Sequence, residues 1–275
     1  EFVLPIERFK NEEQSDKLKV LISPFILRRT KEEVAKDLPE LTEQTIFCDM
    51  SEDQYRYYES EKSKIRNILM ENIRQSGIER SSILILQSLT KLRQMANHPK
   101  MVDDEYISES GKFEEIARNL ENVVAEGHKA LVFSSFIKHL DLFTEYCDQK
   151  SIPYSMLTGE TRDRKGKVNE FQDNEDVKIF FISLKAGGVG LNLTAADYVF
   201  ILDPWWNPAA EQQALSRAHR IGQKKNVFVY RFIAKDTIEE KIMKLQEKKS
   251  KLADVFVNNN PFKGIDKEEI MELLD

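Results

Sequence analysis

The chain has 275 residues, with 41 Lys and Arg against 47 Asp and Glu and a formal net charge of −6. Its hydrophobic fraction of 41% argues against a disordered chain, and its two distant cysteines argue against a disulfide framework or a zinc site. No apolar run is long enough for a membrane span, and the first residues lack the features of a signal peptide. Since the sequence begins without Met, we expect a piece of a longer protein.

The first part of the chain, up to about Gly127, has a helical pattern. Apolar and aromatic residues recur at spacings of three and four, as on an amphipathic helix, and Ser51 with Gln54 fits a capping box. The breaks at Ser76-Gly77 and Asn97-His98-Pro99 favour two antiparallel helices, and a third helix follows. The three predicted helices span 52–73, 83–95 and 112–126.

Beyond Gly127, short apolar runs rich in β-formers alternate with helical patterns. The predicted strands span 130–134, 154–157, 177–183, 198–202 and 227–233, and the predicted helices span 138–149, 162–172, 209–219 and 237–251. This alternation predicts an α/β fold with a parallel sheet that is covered on both faces. Ligands of such sheets bind outside the carboxyl ends of the strands, so the loops at that edge are the candidates for a site.

The loop after the third predicted strand, Ser183–Thr194, holds three glycines within four residues. Glycine lets backbone N–H groups approach a phosphate closely. A dinucleotide-binding fingerprint is excluded because no third glycine follows Gly188 and Gly190 at the required spacing, and the chain has no Gly-Lys-Ser/Thr P-loop. A tight turn that needs glycine for its backbone angles explains these residues equally well.

Two arginines recur in the segment Gln213–Gln223. On a helix, Gln213, Arg217 and Arg220 are spaced by four and three residues and would share one face. Two guanidinium groups together near the carboxyl edge favour an anion such as a phosphate, to which each offers a fork of donors. An ordinary solvated basic face is the alternative, because arginine pairs at this spacing are common.

Two further features of this region suit a nucleic acid. Trp205 and Trp206 follow the fourth strand, and because neighbouring side chains diverge, one ring is expected in the core and the other at the ligand-binding edge. From 211 to 251 there are 11 Lys and Arg against five Asp and Glu, a local excess that suits DNA phosphates. Alternatively, both rings pack beneath the next helix and the charges form a solvated helix face.

Taken together, these segments resemble the Swi/Snf-type ATPases of helicase superfamily two, and the resemblance extends from about Phe2 to Phe256. Its strength lies in the number of motifs and their order. The matching segments are Pro24–Lys31 (inter-lobe linker), Leu92–Pro99 (helical protrusion), Ser110–Lys112, Val132–Phe136 and Leu157–Gly159 (early second-lobe motifs), Ser183–Asp197 (motif V), Asp203–Pro208 (tryptophan-bearing loop) and Gln213–Gln223 (motif VI).

The resemblance implies that this chain is the C-terminal RecA-like lobe, preceded by a helical protrusion. In this family the first lobe carries a Gly-Lys-Thr loop for ATP phosphates and an Asp-Glu pair for Mg²⁺. The Gly-Lys-Thr loop is absent here, and Asp103-Asp104-Glu105 is a poor substitute for the acidic pair because no apolar strand precedes it. ATP and Mg²⁺ would therefore be held mainly by the N-terminal RecA-like lobe of the same protein. By similarity, Arg217 and Arg220 would be arginine fingers for the γ-phosphate, and Gln213 and Gly190 would support the ATP cleft.

The resemblance also implies a grip on double-stranded DNA, and the residues assigned to it are Ser135, Thr158, Lys185, Gly187 and Trp206. The implied activity is DNA-dependent ATP hydrolysis that drives translocation along the duplex without strand separation, and this piece alone is expected to be inactive. DNA-bound proteins such as a nucleosome or RNA polymerase fit as partners. An intracellular location is expected: the nucleus in a eukaryote, the cytoplasm or nucleoid in a bacterium or archaeon.

The predicted organisation has four segments. They are an inter-lobe linker with the start of the lobe (1–50), the helical protrusion (51–108), the RecA-like lobe (109–235) and a brace helix with a tail (236–275). The alternative hypothesis is a non-catalytic DNA- or protein-binding module that has kept this fold. A nucleotide-dependent oxidoreductase ranks last because the third glycine of its fingerprint is absent.

Overall fold

The computed structural model describes residues 12–25, 37–184, 186, 190–205, 208–249 and 273. The chain divides into two compact units, Glu1–Leu38 and Pro39–Asp275. In the first unit, the described residues form helix α1 (Glu12–Ile22) and one 3₁₀ turn. The predicted linker motif, 24–31, lies mostly outside the described residues. None of the described helices combines the length and apolar character that a membrane span requires.

The second unit is built on a six-stranded parallel sheet. Its strands are β1 (Leu41–Cys48), β2 (Ala130–Ser134), β3 (Tyr154–Leu157), β4 (Ile179–Ser183), β5 (Tyr198–Ile201) and β6 (Val227–Ala234). They are arranged in the order β1-β6-β5-β2-β4-β3, and every neighbouring pair is parallel. The predicted parallel sheet is therefore confirmed.

Strand β1 was not predicted from the sequence. It forms one edge of the sheet and pairs along its whole length with β6, from Leu41 opposite Val227 to Cys48 opposite Ala234. Only Cys48 is fully buried, and the middle of the strand is exposed. An edge strand of this kind has no long apolar run, so its pairing with β6, which lies 186 residues later in the chain, was not visible in the local pattern.

Helices cover both faces of the sheet, as predicted. The helices after α1 are α2 (Glu52–Ser76), α3 (Ile78–Asn97), α4 (Gly111–Ala125), α5 (Ile137–Gln149), α6 (Arg164–Asp173), α7 (Pro208–Ala218) and α8 (Ile238–Lys249). On one face, α4 and α5 pack on alternate strand residues such as Val132 and Phe181. On the other face, α6 and α7 pack on residues such as Leu131 and Phe133. The alternation places successive strand residues in opposite cores.

Helices α2 and α3 form an antiparallel hairpin with a third core of its own. The turn between them is the single residue Gly77, whose φ of 78° lies in the left-handed region that glycine favours. The buried residues of the hairpin pack against Ile238 and Ile242 of α8. The two predicted antiparallel helices are thus confirmed, and α8 packs on the hairpin rather than on the sheet faces.

Of the two hydrogen bonds in the predicted capping box at the start of α2, only the one to the Ser51 side chain forms. The Ser51 side chain accepts a hydrogen bond from the backbone N–H of Gln54 (3.2 Å). The Gln54 side chain does not return the bond: its Nε2 donates to the carbonyls of Met95 (3.2 Å) and Ala96 (3.3 Å), and its Oε1 accepts from the N–H of Gly111. Gln54 is fully buried and joins the end of α3 to the start of α4, where these backbone groups lack helical partners.

Candidate functional site at the carboxyl edge of the sheet

The loops that follow β2 and β5 meet at the carboxyl edge of the sheet. The two strands are parallel neighbours, with Phe133 opposite Ile201, so the residues just beyond them lie side by side. Ser135 and Asp203 are such residues, and Ser134 is the last residue of β2. Polar groups from distant parts of the sequence are therefore brought together at the edge where parallel sheets bind their ligands.

The carboxylate of Asp203 organises both loops. It is fully buried, and it accepts hydrogen bonds from the Ser134 hydroxyl (2.5 Å), from the backbone N–H of Ser135 (3.1 Å to Oδ2) and from the Ser135 hydroxyl. A buried carboxylate is stable only where such donors surround it. Ser135, which the sequence predicts to contact DNA, is half-buried, and its N–H and hydroxyl are both held by the carboxylate of Asp203.

A buried arginine of the helical hairpin completes this network. Arg93 of α3 donates from Nη2 to Asp203 Oδ1 (3.1 Å) and to the carbonyl of Pro204 (2.7 Å). Its guanidinium carbon lies 4.9 Å from the ring centroid of Phe136 and 5.8 Å from that of Trp205. Burial lowers the pKa of Arg93, and the charge of Asp203 opposes that change.

Sequence reasoning missed the role of Arg93, although a signal was present. Leu89, Leu92 and Ala96 are buried residues of α3 at helical spacing. Arg93 lies four residues after Leu89 and three before Ala96, so it belongs to the buried face. A single charge on such a face needs a buried partner, and Asp203 is that partner.

The two predicted arginine fingers lie near each other, but not on one helix face. Helix α7 ends at Ala218, so Arg220 lies in the turn beyond it, and the prediction of a shared helix face for Arg220 is wrong. Arg217 is buried, with 4% of its surface exposed, whereas Arg220 is exposed. Burial lowers the pKa of Arg217, and the nearby charges of Arg220 and Arg164 lower it further.

Arg164 is a third cation in this cluster, which we call the arginine cluster (Arg164, Arg217 and Arg220). It is the first residue of α6, and its Nη2 donates to the carbonyl of Ala186 in the glycine loop. Within the described ranges, no carboxylate pairs with the guanidinium of Arg217. Three like charges, one of them the buried guanidinium of Arg217, create a place where an anion would be stabilised.

The two other residues predicted for the ATP cleft are exposed, unlike Arg217. Gln213 of α7 is exposed, four residues before Arg217. Gly190 is exposed with a φ of 32°, in the left-handed region, so the glycine loop uses at least this glycine for its backbone angle. The backbone N–H of Leu193 donates to the carbonyl of Arg217 (3.1 Å), which ties the end of this loop to α7.

Of the other residues predicted to contact DNA, Thr158 belongs to a tight turn after β3. Its backbone N–H donates to the Thr161 hydroxyl (2.9 Å), and its own hydroxyl accepts from the N–H of Glu160 (3.3 Å). Gly159, within this turn, is exposed and has open space around it. Lys185, Gly187 and Trp206 lie outside the described residues.

Trp205 is half-buried and is held from both sides. Its backbone N–H donates to Glu211 Oε1 (2.9 Å), and its ring lies over Arg93. Burial raises the pKa of Glu211, whose other oxygen pairs with Arg231 Nε (3.2 Å). In the parts of the chain that the structure describes, no group of three or more His, Cys, Asp or Glu side chains could hold a metal ion.

Comparisons with known proteins identify the family. The SNF2-related domain matches residues 1–101, and the helicase conserved C-terminal domain matches residues 111–222. The Sulfolobus solfataricus SWI2/SNF2 ATPase core in complex with dsDNA is 32% identical with a TM-score of 0.72, over 99% of this chain and 58% of that one. This chain belongs to the Swi/Snf ATPase family.

Further comparisons show how much of this chain and of other proteins the similarity covers. The Sulfolobus solfataricus SWI2/SNF2 ATPase C-terminal domain is 28% identical with a TM-score of 0.69, and the match covers 85% of this chain and 98% of that one. An uncharacterized ATP-dependent helicase of Mycoplasma genitalium is 34% identical over 98% of this chain, and the mouse chromodomain-helicase-DNA-binding protein 1-like is 34% identical over 94%. The chain spans 26% and 30% of the length of these two curated relatives.

Proposed function

We propose that this Swi/Snf lobe supplies arginine fingers to ATP that is held mainly, with Mg²⁺, by an N-terminal RecA-like lobe of the same protein. The observation that carries the proposal is the arginine cluster. Only 4% of the surface of Arg217 is exposed, and among the described residues the charges that lower its pKa are those of two further arginines. This arrangement lowers the stability of the free protein, and a bound triphosphate would compensate the three positive charges.

The cluster suits the charge that develops during phosphoryl transfer. As the bond to the γ-phosphate breaks, negative charge spreads over its oxygens and the leaving oxygen, and fixed guanidinium groups stabilise it without reorganisation. In this proposal Arg217 and Arg220 contact those oxygens. Gln213 and Gly190 border the same cleft, and Arg164 holds the glycine loop through the Ala186 carbonyl.

We further propose that the same edge of the sheet forms half of a grip on double-stranded DNA. Ser135 and Thr158 lie just beyond β2 and β3 at this edge, and Lys185, Gly187 and Trp206 follow β4 and β5 in the sequence. The similar Sulfolobus solfataricus core was solved in complex with dsDNA. Closure of the two lobes on ATP and their opening after hydrolysis would then move the protein along the duplex without separating its strands.

The finger assignment is tested by replacing Arg217 or Arg220 with Ala in the intact protein. DNA-stimulated ATP turnover should fall by about 10³-fold, because each finger acts chiefly on the transition state, while ATP affinity falls much less. Arg118→Ala is the matched control: Arg118 is an exposed arginine of α4 that pairs with Glu115, away from the arginine cluster. Turnover that survives the loss of Arg217 and Arg220 would refute the assignment.

A second experiment separates this proposal from a non-catalytic binding module. ATP turnover is measured for the isolated chain, and for the chain mixed with its N-terminal lobe, with and without duplex DNA. We expect no turnover from the chain alone and DNA-stimulated turnover from the mixture, because the site is composite. Turnover by the chain alone would contradict the proposal, and DNA binding without any turnover in the mixture would favour the binding module.

A further inference from the structure

We propose that Arg93 is a positioning residue that holds the loops after β2 and β5 in the conformation that contacts DNA. Through Arg93, the helical hairpin α2–α3 is coupled to the DNA-binding edge of the sheet. This inference rests on the proposed function, because it deepens the role of the same edge. It assigns a task to a residue that touches neither ATP nor, in this arrangement, the DNA itself.

The contacts of Arg93 join one helix to two loops. From α3, its Nη2 reaches Ser135 Oγ (3.2 Å) after β2, and Asp203 Oδ1 (3.1 Å) and the Pro204 carbonyl (2.7 Å) after β5. These residues are separated from Arg93 by 42, 110 and 111 positions in the sequence. A change in the position of α3 must therefore move both loops, or break a buried ion pair.

The planar shape of the guanidinium is part of this role. It lies within 6 Å of two aromatic rings, Phe136 beyond β2 and Trp205 beyond β5, so each loop contributes an aromatic contact as well as polar ones. Lysine would keep the charge but would lose the planar face and the fork of donors. Trp205 directly precedes Trp206, one of the residues proposed to contact DNA, and Ser135 is another.

The other side of Arg93 is tied to a second buried ion pair. Its carbonyl accepts a hydrogen bond from Asn97 Nδ2 (2.8 Å), and Asn97 Oδ1 accepts from Lys112 Nζ (2.8 Å) of α4. Lys112 pairs with Glu239 (2.6 Å) at the start of α8, and both side chains are buried. A continuous polar path thus runs from α8 through α4 and α3 to the edge of the sheet. In this proposal the path fixes the position of Arg93 relative to α4 and α8.

The test is Arg93→Lys in the intact protein, with ATP turnover measured without DNA and over a titration of duplex DNA. The DNA concentration that gives half-maximal stimulation should rise about tenfold, the equivalent of one lost hydrogen bond to a charged group, while turnover without DNA falls less than twofold. Lys91→Met is the matched control. Lys91 lies two residues away on α3, and its charge pairs with Glu61 inside the hairpin, so DNA stimulation should not change.

Phe136→Leu provides a second variant in case Arg93→Lys folds poorly. It keeps the buried charge and its carboxylate but removes one of the two aromatic rings, so a smaller rise in the half-maximal DNA concentration is expected. Thermal unfolding of each variant shows that the protein is folded at the assay temperature. If both variants lower basal and stimulated turnover by the same factor at an unchanged half-maximal concentration, Arg93 is merely structural and the inference is overturned.

The two possible failures are distinguishable. If the wild-type protein is not stimulated by duplex DNA, the proposed function is wrong, and the inference falls with it. If the wild-type protein is stimulated but the variants keep a normal half-maximal concentration, the proposed function stands and only the inference is overturned. A raised half-maximal concentration in Arg93→Lys and Phe136→Leu, but not in Lys91→Met, supports it.

Discussion

Arg93 and Arg217 are both buried, with 3% and 4% of their surfaces exposed, but their surroundings have opposite charges. Arg93 has the carboxylate of Asp203 at 3.1 Å, whereas the charges that act most on Arg217 are those of Arg220 and Arg164. Burial lowers the pKa of both arginines; nearby carboxylates oppose this change for Arg93, and nearby arginines reinforce it for Arg217.

The difference distinguishes a buried charge that is compensated within the protein from one that would be compensated by a ligand. A buried cation with an internal carboxylate is compensated before any ligand binds, so it can position its neighbours. A buried cation among like charges lowers the stability of the free protein and is compensated by an external anion. Two arginines with similarly small exposed fractions thus have two roles, and the neighbouring charges distinguish them.

The strongest test of this comparison removes one charge from each site and measures the free energy of unfolding. Asp203→Ala should lower the free energy of unfolding by about 3–5 kcal/mol, because it leaves a buried guanidinium without its carboxylate. Arg217→Ala should change it by about 1 kcal/mol or less, because the packing lost with the side chain is offset by relief of repulsion. Urea unfolding measures both, and an equal loss in the two variants would contradict the comparison.

Acid should weaken the region around Arg93 through His98, which follows the end of α3. Burial lowers the pKa of His98 from 6.5 to about 4, and its Nδ1 must stay unprotonated to accept from the N–H of Lys100. A lowered pKa gives stability that is complete above pH 6.5 and is lost as the pH falls towards 4, amounting to about 3 kcal/mol at most.

His98→Asn tests this pH dependence. Asparagine can still accept from the N–H of Lys100 but does not titrate, so the loss of stability between pH 6.5 and pH 4 should become smaller. It should not vanish, since burial also keeps the pKa of His139 well below its usual value. Thermal unfolding at several pH values measures the effect. An unchanged pH profile in His98→Asn would show that the histidine is not the titrating group.

Inorganic phosphate offers a milder test of the arginine cluster, without ATP turnover. If the cluster binds an anion, phosphate at ten times its dissociation constant should stabilise the protein by about 1.4 kcal/mol. Arg217→Ala should abolish this increment, and Arg118→Ala should retain it. The melting temperature over a phosphate titration, at constant ionic strength, is the measurement. Equal stabilisation of both variants would mean that phosphate acts elsewhere.

Much of the fold could be predicted because most strands and helices are specified by patterns within short segments of the sequence. Five of the six strands and their helices follow from short apolar runs and from spacings of three and four residues. Strand β1 could not be predicted in this way, because an edge strand buries little of its surface and is specified by its partner β6. The side chain of Gln54 likewise forms hydrogen bonds with backbone groups of α3 and α4, and no local sequence pattern predicts these bonds.

For the candidate site, the sequence by itself determined which residues are present and in what order: the glycine loop, the arginines of Gln213–Gln223 and the strand ends that carry Ser135 and Asp203. Only the tertiary structure decided which charges face each other. It placed Arg220 beyond the end of α7 and Arg93 against Asp203. The physical reason is that electrostatic interaction depends on distance and burial, and both are set by the packing of strands and helices that lie far apart in the chain.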